Sequence, residues 1–106
     1  MRFLDVCRNP DAVGRPDHPV PFLLVVQGNH VAVRSTRVVI PLVRTSEAGT
    51  PIRDVMPVLD IQGEQLVAMT SQIAGIPVTG IGDVVMNMSS RHHDIRRAID
   101  VLTGDL

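Results

Sequence analysis

The chain has no tryptophan, no tyrosine and no lysine, and its only cysteine is Cys7. A single cysteine excludes an internal disulfide framework. Two aromatic residues, Phe3 and Phe22, are too few for a platform on which nucleic-acid bases stack. All 10 basic residues are arginine, and 11 acidic residues bring the formal net charge to -1. A strongly basic nucleic-acid binder is therefore excluded, and we expect no direct sequence-specific binding to nucleic acid.

Long apolar runs are also missing, since the longest covers only residues 22–26. A membrane-spanning helix needs about 18 such residues or more, and the charge at Asp5 comes too early for a signal peptide. These absences predict a cytoplasmic protein with no membrane partner. The length of 106 residues predicts one domain over residues 1–106, with a core that needs no disulfide or metal.

Short bursts of valine, isoleucine and leucine predict many strands. They cover residues 2–7, 22–27, 30–33, 37–42, 58–61, 64–69 and 77–81. Gly28-Asn29 suits a tight hairpin between the second and third strands, and Pro41 predicts that the fourth strand ends at an edge or exit. Residues 8–21 and 44–54 read as long loops, and residues 70–74 as a helical turn.

The C-terminal segment has a helical period. Its apolar residues follow the i, i+3, i+4, i+7 spacing of one helix face: Ile95, Ala98, Ile99 and Leu102. Ser89 or Ser90 is expected to cap the start of this helix, and Gly104 lies where a terminating glycine belongs. Many strands followed by one helix predict a mainly β fold, a small antiparallel sheet or barrel with a C-terminal helix packed on it.

No set of residues predicts catalysis, a cofactor or a metal site. Gly80-Ile81-Gly82 lacks the third glycine of a dinucleotide fingerprint and reads as a turn. His92-His93 are adjacent on a helix, where neighbouring side chains point about 100° apart and rarely share an ion. Cys7 is expected to be a buried thiol.

One loop leaves two interpretations open. Arg34-Ser35-Thr36-Arg37 combines two cations with two hydroxyls. It is typical of a solvated loop, but it could also bind phosphate or support RNA cleavage with a histidine as base.

The order of several motifs resembles the CcdB toxins of plasmid and chromosomal toxin–antitoxin modules. Arg37 followed by Val38-Val39-Ile40-Pro41-Leu42 is similar to the central strand of that family. The further matches, in the same order and spacing, are Met1-Arg2-Phe3, Val25-Val26-Gln27, Pro57-Val58 with Ile61, Ile76-Pro77-Val78 with Ile81-Gly82, and Ser89, Arg91, Asp94-Ile95 with Ala98-Ile99. The likeness covers nearly the whole chain, with extra residues in the proline-rich loop before Phe22.

The resemblance implies a partly open antiparallel β-barrel related to the Kid and MazF toxins. It implies a homodimer and a non-enzymatic toxin that serves plasmid maintenance. Such a toxin binds the A subunit of DNA gyrase and traps the enzyme on cleaved DNA, and a CcdA-like antitoxin neutralises it by folding on binding.

The resemblance also assigns a partner-binding surface, with no catalytic residues and no metal. Its residues here are Gln27, Gly28, His30, Val31, Asp100, Thr103, Gly104, Asp105 and Leu106. Several depart from the family pattern. The terminal Trp-Gly-Ile of the family is replaced by Gly104, Asp105 and Leu106, and an Asn is replaced by Asp100. Gly28, His30 and Ala32 stand where the family has Ser, Ile and Asp.

These departures keep two alternatives open. The first is a CcdB-fold protein with weak, lost or redirected toxicity that still binds an antitoxin. The second is a MazF-like endoribonuclease, for which Arg34, Arg37 and the histidines are the motivation.

Overall fold

The computed structural model describes residues 1–104. Within that range one sheet contains seven strands: β1 (Asp5–Arg8), β2 (Phe22–Val25), β3 (Thr36–Arg44), β4 (Val58–Ile61), β5 (Glu64–Ala68), β6 (Ala74–Pro77) and β7 (Val84–Asn87). The helices are α1 (Thr45–Ala48) and α2 (His92–Thr103), and 3-10 turns cover Pro10–Ala12, Thr70–Gln72, Val78–Gly80 and Ser89–Arg91. No helix in this part of the chain is long and apolar enough to cross a membrane.

The sheet curls into a half-barrel, and α2 packs on it. The strand order is β4-β5-β3-β2-β1-β7, and β6 pairs with β3 off this path. Every pairing is antiparallel. The predicted fold class, mainly β with a C-terminal helix, is therefore confirmed.

The central strand β3 has two different neighbours along one edge. β6 pairs with residues 36–39 of β3, and β5 pairs with residues 42–44. Pro41 lies between these two stretches, and its carbonyl accepts a hydrogen bond from the Met69 N–H at 3.0 Å. Because the neighbouring strand on this edge changes from β6 to β5 at Pro41, the sheet needs no hydrogen bond from the backbone N–H that proline lacks. The strand predicted over residues 37–42 is present and longer than expected, since β3 continues past Pro41 to Arg44.

Both faces of the sheet are covered over much of its area. One apolar cluster includes Leu24, Ile40, Leu59, Leu66 and, from α2, Ile95. A second cluster lies on the opposite face and comprises Cys7, Leu23, Val25, Val39 and Ile81. Neighbouring residues of β2 thus contribute to different clusters, so the strand is buried on both sides. Burial on two sides explains why its sequence is continuously apolar instead of alternating.

The residues after Gly28-Asn29 form a loop, so the predicted strand over residues 30–33 was wrong. Gln27 supplies the reason. Its side-chain Oε1 accepts a hydrogen bond from the Val38 N–H at 3.2 Å, and its Nε2 donates to the Val33 carbonyl at 3.3 Å. These side-chain bonds take the place of the next backbone hydrogen bonds between the strands. The strand that pairs with β2 is therefore β3 and not residues 30–33.

Two other strand predictions were displaced. The strand predicted over residues 77–81 lies earlier in the chain, because β6 covers Ala74–Pro77 and a 3-10 turn over Val78–Gly80 follows it. β7 was not predicted. The first strand begins at Asp5, because Leu4 has a left-handed backbone with φ of 68°. Leu4 remains only 1% exposed, donates to the Val25 carbonyl and accepts from the Met88 N–H. These contacts hold a conformation that is unfavourable for leucine.

The predicted C-terminal helix is confirmed, with a different start. Arg91 occupies the N-cap position of α2 without a side-chain cap, so neither Ser89 nor Ser90 serves as the predicted cap. Gly104 ends the helix in the left-handed conformation, as predicted, with φ of 76°. Of the four stripe residues, Ile95 and Ala98 are buried, Ile99 is half-buried and Leu102 is 38% exposed.

The packing of α2 predicts a large cost for a charge at Ile95, which is 1% exposed. We expect Ile95→Asp to lower the free energy of unfolding by about 3 kcal/mol or more, because the carboxylate would be buried without a partner. Leu102→Asp places the same charge on the exposed end of the stripe and is expected to cost less than about 1 kcal/mol. Urea unfolding measures both, and equal losses would show that α2 does not pack as described.

Candidate functional site

A surface groove of about 230 Å³ lies between the segment after β2 and the second half of α2. Its lining combines an aromatic ring, two aliphatic side chains, a glycine, an imidazole, a cation and a carboxylate: Phe3, Val26, Gly28, His30, Arg96, Ile99 and Asp100. The fold thus brings together three residues that the family resemblance assigned to partner binding, two from the segment after β2 and one from α2. These are Gly28, His30 and Asp100.

Phe3 forms one side of the groove and is held there by the loop opposite. Its N–H donates to the Asn29 Oδ1 at 2.8 Å. Its ring meets the His92 ring edge-on, with 6.1 Å between centroids, and the Arg96 guanidinium carbon lies 5.4 Å from the ring centre. Edge-on aromatic and cation–π contacts both fix a ring in place. The N-terminus, the loop and α2 are therefore joined at this one side chain.

Gly28 and His30 are sterically linked. A Cβ placed on Gly28 would lie 2.6 Å from the His30 Cε1 and 2.9 Å from its Nδ1. The imidazole therefore lies over the glycine and occupies the space that a side chain at position 28 would take. The glycine at position 28 therefore makes room for the His30 ring.

The remaining predicted residues of the loop do not line the groove. Gln27 uses its side-chain amide to bond Val38 and Val33, so its role is to end the strand ladder. Val31 is 42% exposed beside the groove, and its N–H donates to the Gly28 carbonyl at 3.1 Å in a turn.

The end of α2 is closed by its own backbone and by Thr103. The Thr103 hydroxyl donates to the carbonyls of Ile99 and Asp100 at 3.0 and 3.2 Å. The Gly104 N–H bonds the carbonyls of Asp100 and Val101. Both predicted residues are exposed and cap the helix next to the groove. The other two predicted terminal residues, Asp105 and Leu106, lie outside the described residues.

Four residues of the groove were not included in the predicted site: Phe3, Val26, Arg96 and Ile99. Arg96, Ile99 and Asp100 follow the i, i+3, i+4 spacing that places side chains on one helix face, so the helix pattern contained this signal. Phe3 and Val26 carried no local signal, because their positions depend on the tertiary hydrogen bond from Asn29 and on the curl of the sheet.

Arg37, a candidate for phosphate binding or RNA cleavage, makes structural contacts. Arg37 Nη1 donates to the carbonyls of Val33, Arg34 and Thr36 at 2.8 to 3.2 Å, so its charge orders its own loop. In residues 1–104 no histidine is hydrogen-bonded to Arg34 or Arg37.

Cys7 is fully buried, as predicted. Burial raises the pKa of its thiol above the ordinary value, and the Asp5 carboxylate raises it further. A thiol with a raised pKa is a poor nucleophile, because the thiolate is the reactive form. Across residues 1–104 no group of three or more His, Cys, Asp and Glu side chains is arranged to hold a metal ion.

One comparison with known proteins bears on the groove and the fold together. A protein-family model described as CcdB protein matches residues 3–104. The match includes every residue that lines the groove and the whole of α2.

The contact between Gly28 and His30 predicts a coupled pair of substitutions. Gly28→Ala should displace the imidazole and shift the NMR signals of the His30 ring, because the new Cβ needs its space. In a His30→Ala background, Gly28→Ala should have almost no effect on thermal stability. We expect an interaction energy of about 0.5 kcal/mol or more from this double-mutant cycle. Strictly additive effects would show that the ring does not lie over the glycine.

Proposed function

The chain belongs to the CcdB family, and from this membership we propose that it acts by poisoning DNA gyrase. It is a toxin of the CcdB type, from a toxin–antitoxin system. In the proposed mechanism the protein binds the A subunit of gyrase and holds the complex in which DNA is cleaved. Its action is binding and not catalysis, and it takes place in the cytoplasm, where gyrase and its DNA are found.

The groove beside α2 is the observation that supports this proposal. Its composition fits a protein interface, because an aromatic ring and an arginine are the side chains that most often dominate binding energy. Phe3 and Arg96 are already in contact, so little side-chain freedom would be lost on binding. Asp100 adds a charge of the opposite sign that can orient a partner.

A homodimer is part of the proposal. Gyrase holds DNA in a symmetric gate, and a twofold dimer presents the same surface twice in matching orientation. Neutralisation is proposed to come from a CcdA-like antitoxin whose disordered segment folds on the toxin.

Charge reversal in the groove tests the gyrase contact. Purified protein, gyrase and supercoiled plasmid should yield linear DNA after denaturation of the trapped complex. Asp100→Arg should reduce that yield about tenfold or more, because truncating or reversing a charge in an interface costs about 2 kcal/mol or more. Asp17→Arg makes the same charge change on an exposed loop residue outside the groove and should leave the yield unchanged.

Two results would contradict the proposal. One is the absence of linear DNA with the unaltered protein and every gyrase tested. The other is an equal response of Asp100→Arg and Asp17→Arg, which would place the contact elsewhere on the molecule.

A second candidate function is supported by Gly104. A CcdB-type protein with weakened or redirected toxicity that still binds its antitoxin would be expected to have a changed helix end. In the resembled family a tryptophan stands at this position, whereas here a glycine ends α2 with φ of 76°. Aromatic anchors are the usual centres of interface energy, so their loss would weaken binding to gyrase without changing the fold.

Restoring the aromatic side chain distinguishes the two candidates. Gly104→Trp has open space around its Cβ but must adopt a left-handed backbone, which costs about 1 kcal/mol. Gly104→Ala pays the same backbone cost and is the matched control. If toxicity was weakened by loss of the tryptophan, expression of Gly104→Trp should inhibit growth of a sensitive host more than Gly104→Ala does. Equal growth with both variants would remove position 104 as the cause.

A further inference from the structure

A second pocket, of about 220 Å³, lies on the proline-rich loop and shares no lining residue with the groove. It is formed where this loop passes over the ends of β1, β2 and β3 and the start of β5. Three arginines and one carboxylate contribute to it: Arg8, Arg15, Arg44 and Glu64. Apolar and proline side chains, among them Val13 and Pro16, form the remaining wall.

The loop that carries the pocket is ordered by its own hydrogen bonds. Asn9 closes its base, since its N–H bonds the Pro21 carbonyl at 3.1 Å and its Nδ2 bonds the Val20 carbonyl at 2.9 Å. Further along, the Arg15 N–H donates to the Ala12 carbonyl at 3.0 Å. A compact loop with closed ends is a common place for a binding function. The pocket therefore has a fixed backbone.

The charges of the pocket do not cancel. Arg44 pairs with Glu64 and also donates from Nε to the His18 carbonyl at 2.8 Å. Within residues 1–104 the guanidinium groups of Arg8 and Arg15 form no hydrogen bond and no ion pair, and both side chains are exposed. The acidic residues of the loop, Asp11 and Asp17, do not line the pocket. Two cations without an acidic partner thus face one cavity.

We propose that this pocket binds a phosphate group, either as free phosphate or as the phosphate of a small organic molecule. A guanidinium presents paired N–H donors that match the oxygens of phosphate, and a phosphate with about two negative charges balances Arg8 and Arg15. The cavity has room for roughly seven water volumes, which is more than one phosphate needs. The apolar wall at Val13 and Pro16 can receive the organic part.

NMR titration of the ¹⁵N-labelled full chain tests the proposal, with the ionic strength held constant by NaCl. The probes are inorganic phosphate, phenyl phosphate and succinate, which carries a similar charge on carboxylates. We expect saturable shifts confined to the amides of residues 8–22 and to the neighbouring residues of β3 and β5. Tighter binding of phenyl phosphate would identify an organic phosphate as the ligand, and equal binding would identify free phosphate.

Single arginine substitutions make the test specific. Arg8→Gln and Arg15→Gln should each raise the dissociation constant about tenfold or more, since hydrogen bonds to charged groups are the strong ones. Arg53→Gln removes the same charge from an exposed arginine outside the pocket and should change nothing. The spectra themselves report that the variants are folded, and the gyrase assay is not involved, so this proposal can fail independently of the proposed function.

Three results would overturn the phosphate assignment. The first is a linear response without saturation, and the second is an equal effect of Arg53→Gln, because both indicate general ionic attraction. The third is tighter binding of succinate than of either phosphate probe, which would assign the pocket to carboxylate ligands.

Discussion

One edge of β3 is shared by two strands, and the rest of the sheet depends on this arrangement. β6 pairs with residues 36–39 of β3, and β5 pairs with residues 42–44. The segment between β5 and β6 must therefore leave this edge of β3 and return to it on the other side of Pro41. Proline lacks the donor that an uninterrupted neighbour would require. The change of partner lets the sheet curl, and the curl covers one face with β6 and Ile81 while α2 covers the other.

The same curl positions the groove. Phe3 reaches α2 because Leu4 turns the backbone left-handed before β1 begins. Two backbone hydrogen bonds hold that turn, one to the Val25 carbonyl of β2 and one from the Met88 N–H just after β7. Leucine in this conformation costs about 1–2 kcal/mol, which the burial of its side chain offsets. The N-terminus is thereby fixed against both the loop at Asn29 and the helix at Arg96.

The amino-acid pattern correctly predicted the elements that depend on the local spacing of apolar residues. It failed for elements whose structure is decided by a contact with a residue elsewhere in the chain. The α2 stripe and the strands over residues 58–61 and 64–69 are encoded in adjacent residues, and all three elements were predicted. Residues 30–33 look like a strand, but the side chain of Gln27 ends the ladder before them. Three predicted site residues, Gly28, His30 and Asp100, reach the groove, whereas Phe3 could not be placed there without the tertiary structure.

Gly104 ends α2 through its backbone and not through a side chain. Its left-handed backbone and its N–H bonds to two helix carbonyls show that this residue is the helix stop. A larger residue would be strained in this conformation, so glycine at position 104 favours the end of the helix at this point. Gly28 and His30 are in steric contact on the wall of the groove opposite α2. Because Gly28, His30 and Gly104 are not part of the buried clusters, the proposed partner surface can change its specificity at these positions without loss of the sheet that carries it.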